Sequence, residues 1–213
     1  MHEEEIKTIL DYYLLTIKLK DVIRSGWKRW SVSKERLESV AEHIYGTCML
    51  CCAIYSQCKP NIDLGKTILT LALHETEEIL IGDITPFDSQ EQLEIKSNGE
   101  KAVKEIFKPL NLREDFYKLI EDFDNLRTPE GIFARKCDKL ECDLQAKIYD
   151  ELGYIDSNDS QYMMSSPIIQ EYLSQGIKDV STYFILNDRK HFTDDDIFLS
   201  ISKYLEKNKL INK

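Results

Sequence analysis

Basic residues are in short supply in this chain. Lys and Arg number 28 against 38 Asp and Glu, giving a formal charge of -10 and a pI near 5.0. Such a surface repels polyanions, and duplex affinity rests on Lys and Arg neutralising phosphates, so a broad polynucleotide-binding role is excluded. A small nucleotide asks only for a local basic patch and stays within reach. Glycine and proline are also sparse, at eight and five, and nowhere gather into a linker. With 213 residues the chain suits one domain with a real core and is short for two. No apolar run nears the ~20 residues of a membrane span, so no membrane partner is expected. The opening MHEEEIK is acidic and lacks the apolar region of a secretion signal. There is no internal repeat, and no stretch alternates apolar with polar residues as a half-buried strand would.

Six cysteines are present: Cys48, Cys51, Cys52, Cys58, Cys137 and Cys142. The first three form C-x-x-C-C inside the helical-looking stretch CMLCCAIY. A structural zinc site usually has a turn between its paired thiolates, and cysteine commonly packs as a small hydrophobe. Core or surface thiols are therefore expected, in a reduced cytoplasmic protein.

What the sequence does have is helical periodicity. Residues 3–20 set Ile6, Ile9, Leu10, Tyr13, Leu14 and Ile17 at spacings of three and four, an amphipathic helix. Residues 21–35 read as an irregular basic connection. From Lys18 to Arg36, seven basic side chains (Lys18, Lys20, Arg24, Lys28, Arg29, Lys34, Arg36) face two acidic ones (Asp21, Glu35), a local inversion of the overall charge. Further helices are expected at about 36–57, 64–81, 89–107, 112–125 and 129–152. The one at 64–81 begins with the all-apolar ILTLAL, predicting a buried central helix that ends at Gly82. Thr128-Pro129-Glu130 is a good start signal for the last of them. Beyond Gly153 a polar stretch leads to helices near 167–186 and 193–207. The predicted fold is an all-α, single-domain helical bundle spanning 1–213, with a motif-bearing core at about 20–152 and a C-terminal helical extension at about 153–213.

Only four histidines occur: His2, His43, His74 and His191. His2 and His191 read as surface residues. His74 follows the apolar run directly and is joined by Glu75, Glu77, Glu78 and Asp83. Ionised carboxylates inside a protein want a cation or strong hydrogen bonds. On a continuous helix His74 and Glu78 share one face, with Glu75 rotated ~100° to the flank. One metal could meet His74 and Glu75 and leave Glu78 unligated as an acid or base. The alternative is a solvated acidic helix end, HETEEILIGD, turned to water.

Three blocks in order, ERLESVAEH, LALHETEEILIGDITP and ARKCDKLE, resemble the HD superfamily, and within it the YfbR-type 5'-deoxynucleotidases and their HD-domain-containing relatives. The resemblance covers roughly residues 20–150. It implies an HD-type bundle and a metal-dependent phosphoric monoester hydrolase acting on a nucleoside 5'-monophosphate, in particular a deoxynucleotide. It further implies His43, His74, Glu75 and Asp138 as ligands of one divalent metal ion, with Glu75 standing where the family has aspartate. Glu78 fits the family's acid/base carboxylate, and Asp83 the aspartate near the sugar. Arg24, Trp27 and Arg29 fall in the loop that faces phosphate and sugar, with Trp30 an alternative to Trp27. Imidazole with carboxylate suits manganese, cobalt, iron, zinc or nickel, and magnesium less naturally. A homodimer is a further implication, with Tyr162, Met163 and Met164 available for an interface or for the core. Two alternatives stand beside this reading: a nucleotide-binding module weakened by Glu75, and a phosphatase of another small phosphorylated metabolite.

Overall fold

Thr128 and Pro129 open the helix on which the others are assembled. The Thr128 hydroxyl accepts from the Gly131 amide at 3.1 Å, and Pro129 fills the first turn, where a missing N–H costs nothing. In the computed structural model, which describes residues 1–33, 35, 37–84, 92–155, 167–176 and 179–211, that helix is α8 (Pro129–Leu152). It is preceded by α1 (Glu3–Thr16), α2 (Ser25–Arg29), α3 (Val40–Cys58), α4 (Leu64–Leu73), α5 (Glu78–Ile81), α6 (Gln92–Phe107) and α7 (Arg113–Asp124). It is followed by α9 (Pro167–Ser174), α10 (Val180–Asp188) and α11 (Asp196–Lys207), with 3-10 turns at Ile17–Lys20 and Arg189–His191. The fold is all-α. Among the described residues the only β contacts are the isolated bridges Ile23–Ser39 and Val32–Ile155.

α8, rather than the ILTLAL helix, is the central element. It buries residues on every side, from Phe133 and Ala134 through Leu140 to Tyr149, and packs against α3, α4, α7, α10 and α11. α4 keeps Leu69 and Ala72 exposed and buries only one face. α3 starts at a capping box: the Ser39 hydroxyl accepts from the Glu42 amide, and the Glu42 carboxylate accepts from the Ser39 amide at 2.9 Å. A cap of this kind stabilises by ~1 kcal/mol and fixes the turn that carries His43.

Several other expectations are revised. The basic connection contains α2 and carries two buried tryptophans; Lys34 and Arg36 lie outside the described residues, as do Tyr162, Met163 and Met164. Ile6, Ile9, Leu10, Tyr13 and Leu14 of α1 face outward, because the helix docks through Tyr12 and Leu15 onto the cluster of Val103, Phe107 and Leu119. The helix expected at 167–186 is divided between α9 and α10. The last helix starts late because Asp195, not Thr193, caps it. All six cysteines are free thiols, and Cys48, Cys51, Cys137 and Cys142 are buried.

Candidate active site

α3, the end of α4 and α8 converge on four side chains. His43 is fully buried, and its Nε2 lies 3.1 Å from Asp138 Oδ1 and 3.9 Å from Glu75 Oε1. His74 Nε2 lies 3.3 Å from Glu75 Oε1 and 3.8 Å from Asp138 Oδ1. One donor atom from each of the four residues falls within 4.8 Å of all the others. The tautomers are set from behind. His74 Nδ1 donates to the Leu71 carbonyl at 2.7 Å, and His43 Nδ1 sits 2.6 Å from the Glu141 carboxylate. Each Nε2 therefore faces the carboxylates, as an N–H in the metal-free protein and as the lone pair that a cation would take in place of the proton. His74 Nε2 is buried and has no hydrogen-bond partner, an orphan that a divalent cation would satisfy. Two imidazoles and two carboxylates fit such an ion and leave positions open for a reactant.

The helix expected over 64–81 is broken here. α4 ends at Leu73, and the next residues turn through tighter bonds, from Thr76 N to the Leu73 carbonyl and from Glu78 N to the Glu75 carbonyl. The Thr76 hydroxyl also donates to the Leu73 carbonyl at 2.6 Å. His74 and Glu78 thus do not share a regular helical face. The turn fans the acidic residues apart: Glu75 toward His43, His74 and Asp138, Glu78 into the adjoining wall.

An HD-domain family model matches residues 16–179. The chain belongs to the HD-domain family. Among curated HD relatives, the "5'-deoxynucleotidase HDDC2" of Xenopus laevis is 34% identical over 149 residues, covering 68% of this chain and 71% of that protein. The Homo sapiens protein of the same name is 29% identical, covering 70% of this chain and 71% of its own. The "5'-deoxynucleotidase hdd1" of Schizosaccharomyces pombe is 27% identical and covers 82% and 87%. The HD bundle also superposes on a "Predicted metal-dependent phosphohydrolase" from Magnetospirillum magnetotacticum, with a TM-score of 0.69 at 16% identity over 96% of this chain and 94% of that one.

Charge is strongly organised around the HD cluster. Burial works to raise the Glu75 carboxyl, but His74 and His43 overcome it and hold it at about 2. Burial works to lower His74, yet Glu75 and Asp138 lift it to about 10. Asp138 is held well below the carboxylate range against its burial by Lys139, His43 and His74. Glu78 goes the other way: burial first, then the charges of Glu75 and Asp83, push it up to about 10.

The HD cluster opens onto a cleft of about 350 Å³, within the size range of small-molecule sites. Arg24, Arg29, Trp27, Glu78 and Asp83 all border it. Arg24 Nη1 approaches Glu75 Oε1 at 3.9 Å, and Nη2 donates to Cys142 Sγ at 3.2 Å. Asp83 accepts the Ser25 amide, pinning the start of α2 to the cleft. Trp27 is 3% exposed and donates its indole N–H to Glu38 at 2.7 Å, so it forms wall rather than rim. Sequence reasoning missed Arg135, Lys139, Glu38 and Glu141. Arg135 and Lys139 approach Asp138 at 3.5 and 3.9 Å and border the cleft. The helical spacing 135, 138, 139, 142 was the available signal, since it puts these residues on one face.

Proposed function

We propose that the chain is a divalent-metal-dependent phosphohydrolase that removes phosphate from a nucleoside 5'-monophosphate, preferring deoxynucleotides. The observation that carries this reading is the buried His43–His74–Glu75–Asp138 cluster, with its unpartnered imidazole nitrogen, opening directly onto a cleft lined by arginines. The substrate class is supported by the names of the HD relatives, each a 5'-deoxynucleotidase. A bound cation supplies Lewis acidity at this position and makes water a usable nucleophile near neutral pH. Manganese, cobalt, iron, zinc and nickel all suit the donor set, and magnesium is the weaker match.

The protein's own groups do the rest. Arg24 and Arg29 neutralise charge on the phosphoryl oxygens. Glu78, buried and raised to about 10, presents a proton to the departing 5' oxygen. Asp83 and Trp27 shape the sugar side of the cleft. The whole chain, 1–213, functions as one HD-type domain in the cytoplasm. The outward apolar residues of α1, among them Leu10 and Leu14, offer a face for a homodimer.

The test strips the protein of metal and measures phosphate release from deoxynucleoside and ribonucleoside 5'-monophosphates. Manganese, cobalt, magnesium or zinc is added back singly, with Glu75→Asp run alongside. Metal-dependent release favouring deoxynucleotides is expected. Activity confined to Glu75→Asp would mark a detuned metal site, and silence in both proteins despite tight metal binding would overturn the substrate class.

A further inference from the structure

The HD match stops one residue short of a helix that forms part of the cleft. α10 begins at Val180, beyond the matched segment 16–179. It runs along α8 in the opposite direction. At its start the Ser181 amide donates to the Asp150 carboxylate, and at its end Asp188 faces the charge of Lys139. Between these points Phe184 borders the same cleft as Arg24, Glu75 and Asp138.

Phe184 is only half-buried. Its ring centroid lies 5.6 Å from that of Trp27 and 5.3 Å from that of Trp30. Those two indoles are each 3% exposed and Tyr183 is also buried, so of the four aromatic side chains that border the cleft, Trp27, Trp30, Tyr183 and Phe184, Phe184 presents the most open ring. Along α8, Cys142 takes the Arg24 hydrogen bond one turn, ~6 Å, beyond Asp138. The cleft therefore has a charged end at the metal ligands and an aromatic wall from α10. Near that wall the Asn187 amide donates to Asp188 at 2.8 Å and accepts from Lys190 at 3.3 Å, so its orientation is fixed.

We propose that α10 is the nucleobase wall of the cleft, with Phe184 as the stacking surface for the base and Asn187 as a polar contact at its edge. This rests on the nucleotide reading above and deepens it. Every base presents a π face, so a phenyl ring binds all of them without choosing strongly among them. Held by those two bonds, the Asn187 amide still has a second N–H and a second oxygen lone pair to offer a base edge, in one fixed arrangement. Phe184 thus sets how much more tightly a nucleotide binds than phosphate alone.

The two products separate the ends of the cleft and cannot turn over. Binding of deoxyadenosine and of inorganic phosphate is measured by calorimetry on the manganese-loaded protein, native and with Phe184→Leu, Phe184→Tyr or Asn187→Ala. Phe184→Leu keeps an apolar side chain but loses the ring. Its deoxyadenosine affinity is expected to fall about tenfold, within the range for one stacked base, with phosphate binding unchanged. Phe184→Tyr keeps the ring and retains native affinity for both, and Asn187→Ala weakens deoxyadenosine a few-fold. Equal weakening of both products in Phe184→Leu assigns the ring to packing alone and overturns the proposal. So does native protein that binds phosphate and no deoxyadenosine. Turnover of deoxyadenosine 5'-monophosphate is measured separately. Its absence, with Phe184-dependent nucleoside binding intact, discards the activity and keeps the wall.

Discussion

Replacing Gly46 with alanine should weaken metal binding, although the same change in an ordinary helix stabilises. Gly46 lies inside α3, where glycine costs ~1 kcal/mol relative to alanine because it loses more backbone freedom on folding. A Cβ at this position would stand 2.5 Å from Glu141 Oε1 and 3.1 Å from its Cδ, so the carboxylate has to move. That carboxylate lies 2.6 Å from His43 Nδ1 and orients the ring. Losing such a support typically costs 10–100-fold in metal affinity. A tenfold loss removes ~1.4 kcal/mol of metal-conferred stability once metal is in excess. The metal-free Gly46→Ala protein should gain no stability, because the displaced Glu141 gives up its buried pairing with His43 (about 1–3 kcal/mol) against the helix gain, and its metal-induced rise in melting temperature should shrink. Chelator competition with manganese gives the affinity, and melts with and without metal give the two stabilities. Native metal affinity in Gly46→Ala would refute this account of why glycine occupies the position.

Glu78→Gln should lower kcat by about 10²–10⁴-fold, the usual worth of a positioned proton donor, with metal stoichiometry unchanged; loss of metal on elemental analysis would show Glu78 to be a ligand instead. Metal uptake by the stripped protein should release protons at pH 7, because His43 sits above the ordinary imidazole value and His74 at about 10. Raised imidazoles also stabilise the metal-free fold below pH ~6.5, a contribution lost as pH climbs through their folded values. Apparent metal affinity should accordingly rise with pH, and a titration in weak buffer that releases no proton contradicts the assignment. Asp143 is fully buried, neither carboxylate oxygen has a partner, and burial with the neighbouring Asp188 pushes its carboxyl well up. Folding then takes up a proton above pH ~4, so this group lowers stability as pH rises from there. Asp143→Asn should stabilise by about 1–3 kcal/mol at pH 7 and by less at pH 4, as read from urea unfolding at the two values.

Helix content was legible because periodicity and caps are local. Thr128-Pro129 marks the start of α8, and the apolar run of α4 is plain in the sequence. What a helix packs against is not local. α1 carries its longest apolar stripe on the outside because, among the described residues, it is Tyr12 and Leu15 that pack on the cluster of Val103, Phe107 and Leu119. ILTLAL looked central by composition, whereas α8, with Lys136, Asp138, Glu141 and Asp143 along it, is the helix buried on all sides. Its charged residues are tolerated inside because several are paired there: Lys136 with Asp194 and Asp195, Glu141 with His43, Asp138 with both histidines. Composition counts such residues as surface, and only the pairing reveals them as interior.

The glutamate at position 75 is the point where local and tertiary information meet. Read as one continuous helix, 64–81 leaves Glu75 a methylene too long and rotated off the His74 face. The chain instead leaves the α-helix after Leu73, with the Thr76 hydroxyl and amide both bonded to the Leu73 carbonyl. Residue 75 therefore sits in a turn whose backbone no longer fixes its side chain to a helical flank. Its Oε1 reaches 3.3 Å from His74 Nε2 and 3.9 Å from His43 Nε2, beside the span that Asp138 Oδ1 occupies at 3.8 and 3.1 Å. Where the helix stops sets the reach of this carboxylate, and Arg24 at 3.9 Å meets it from the cleft side.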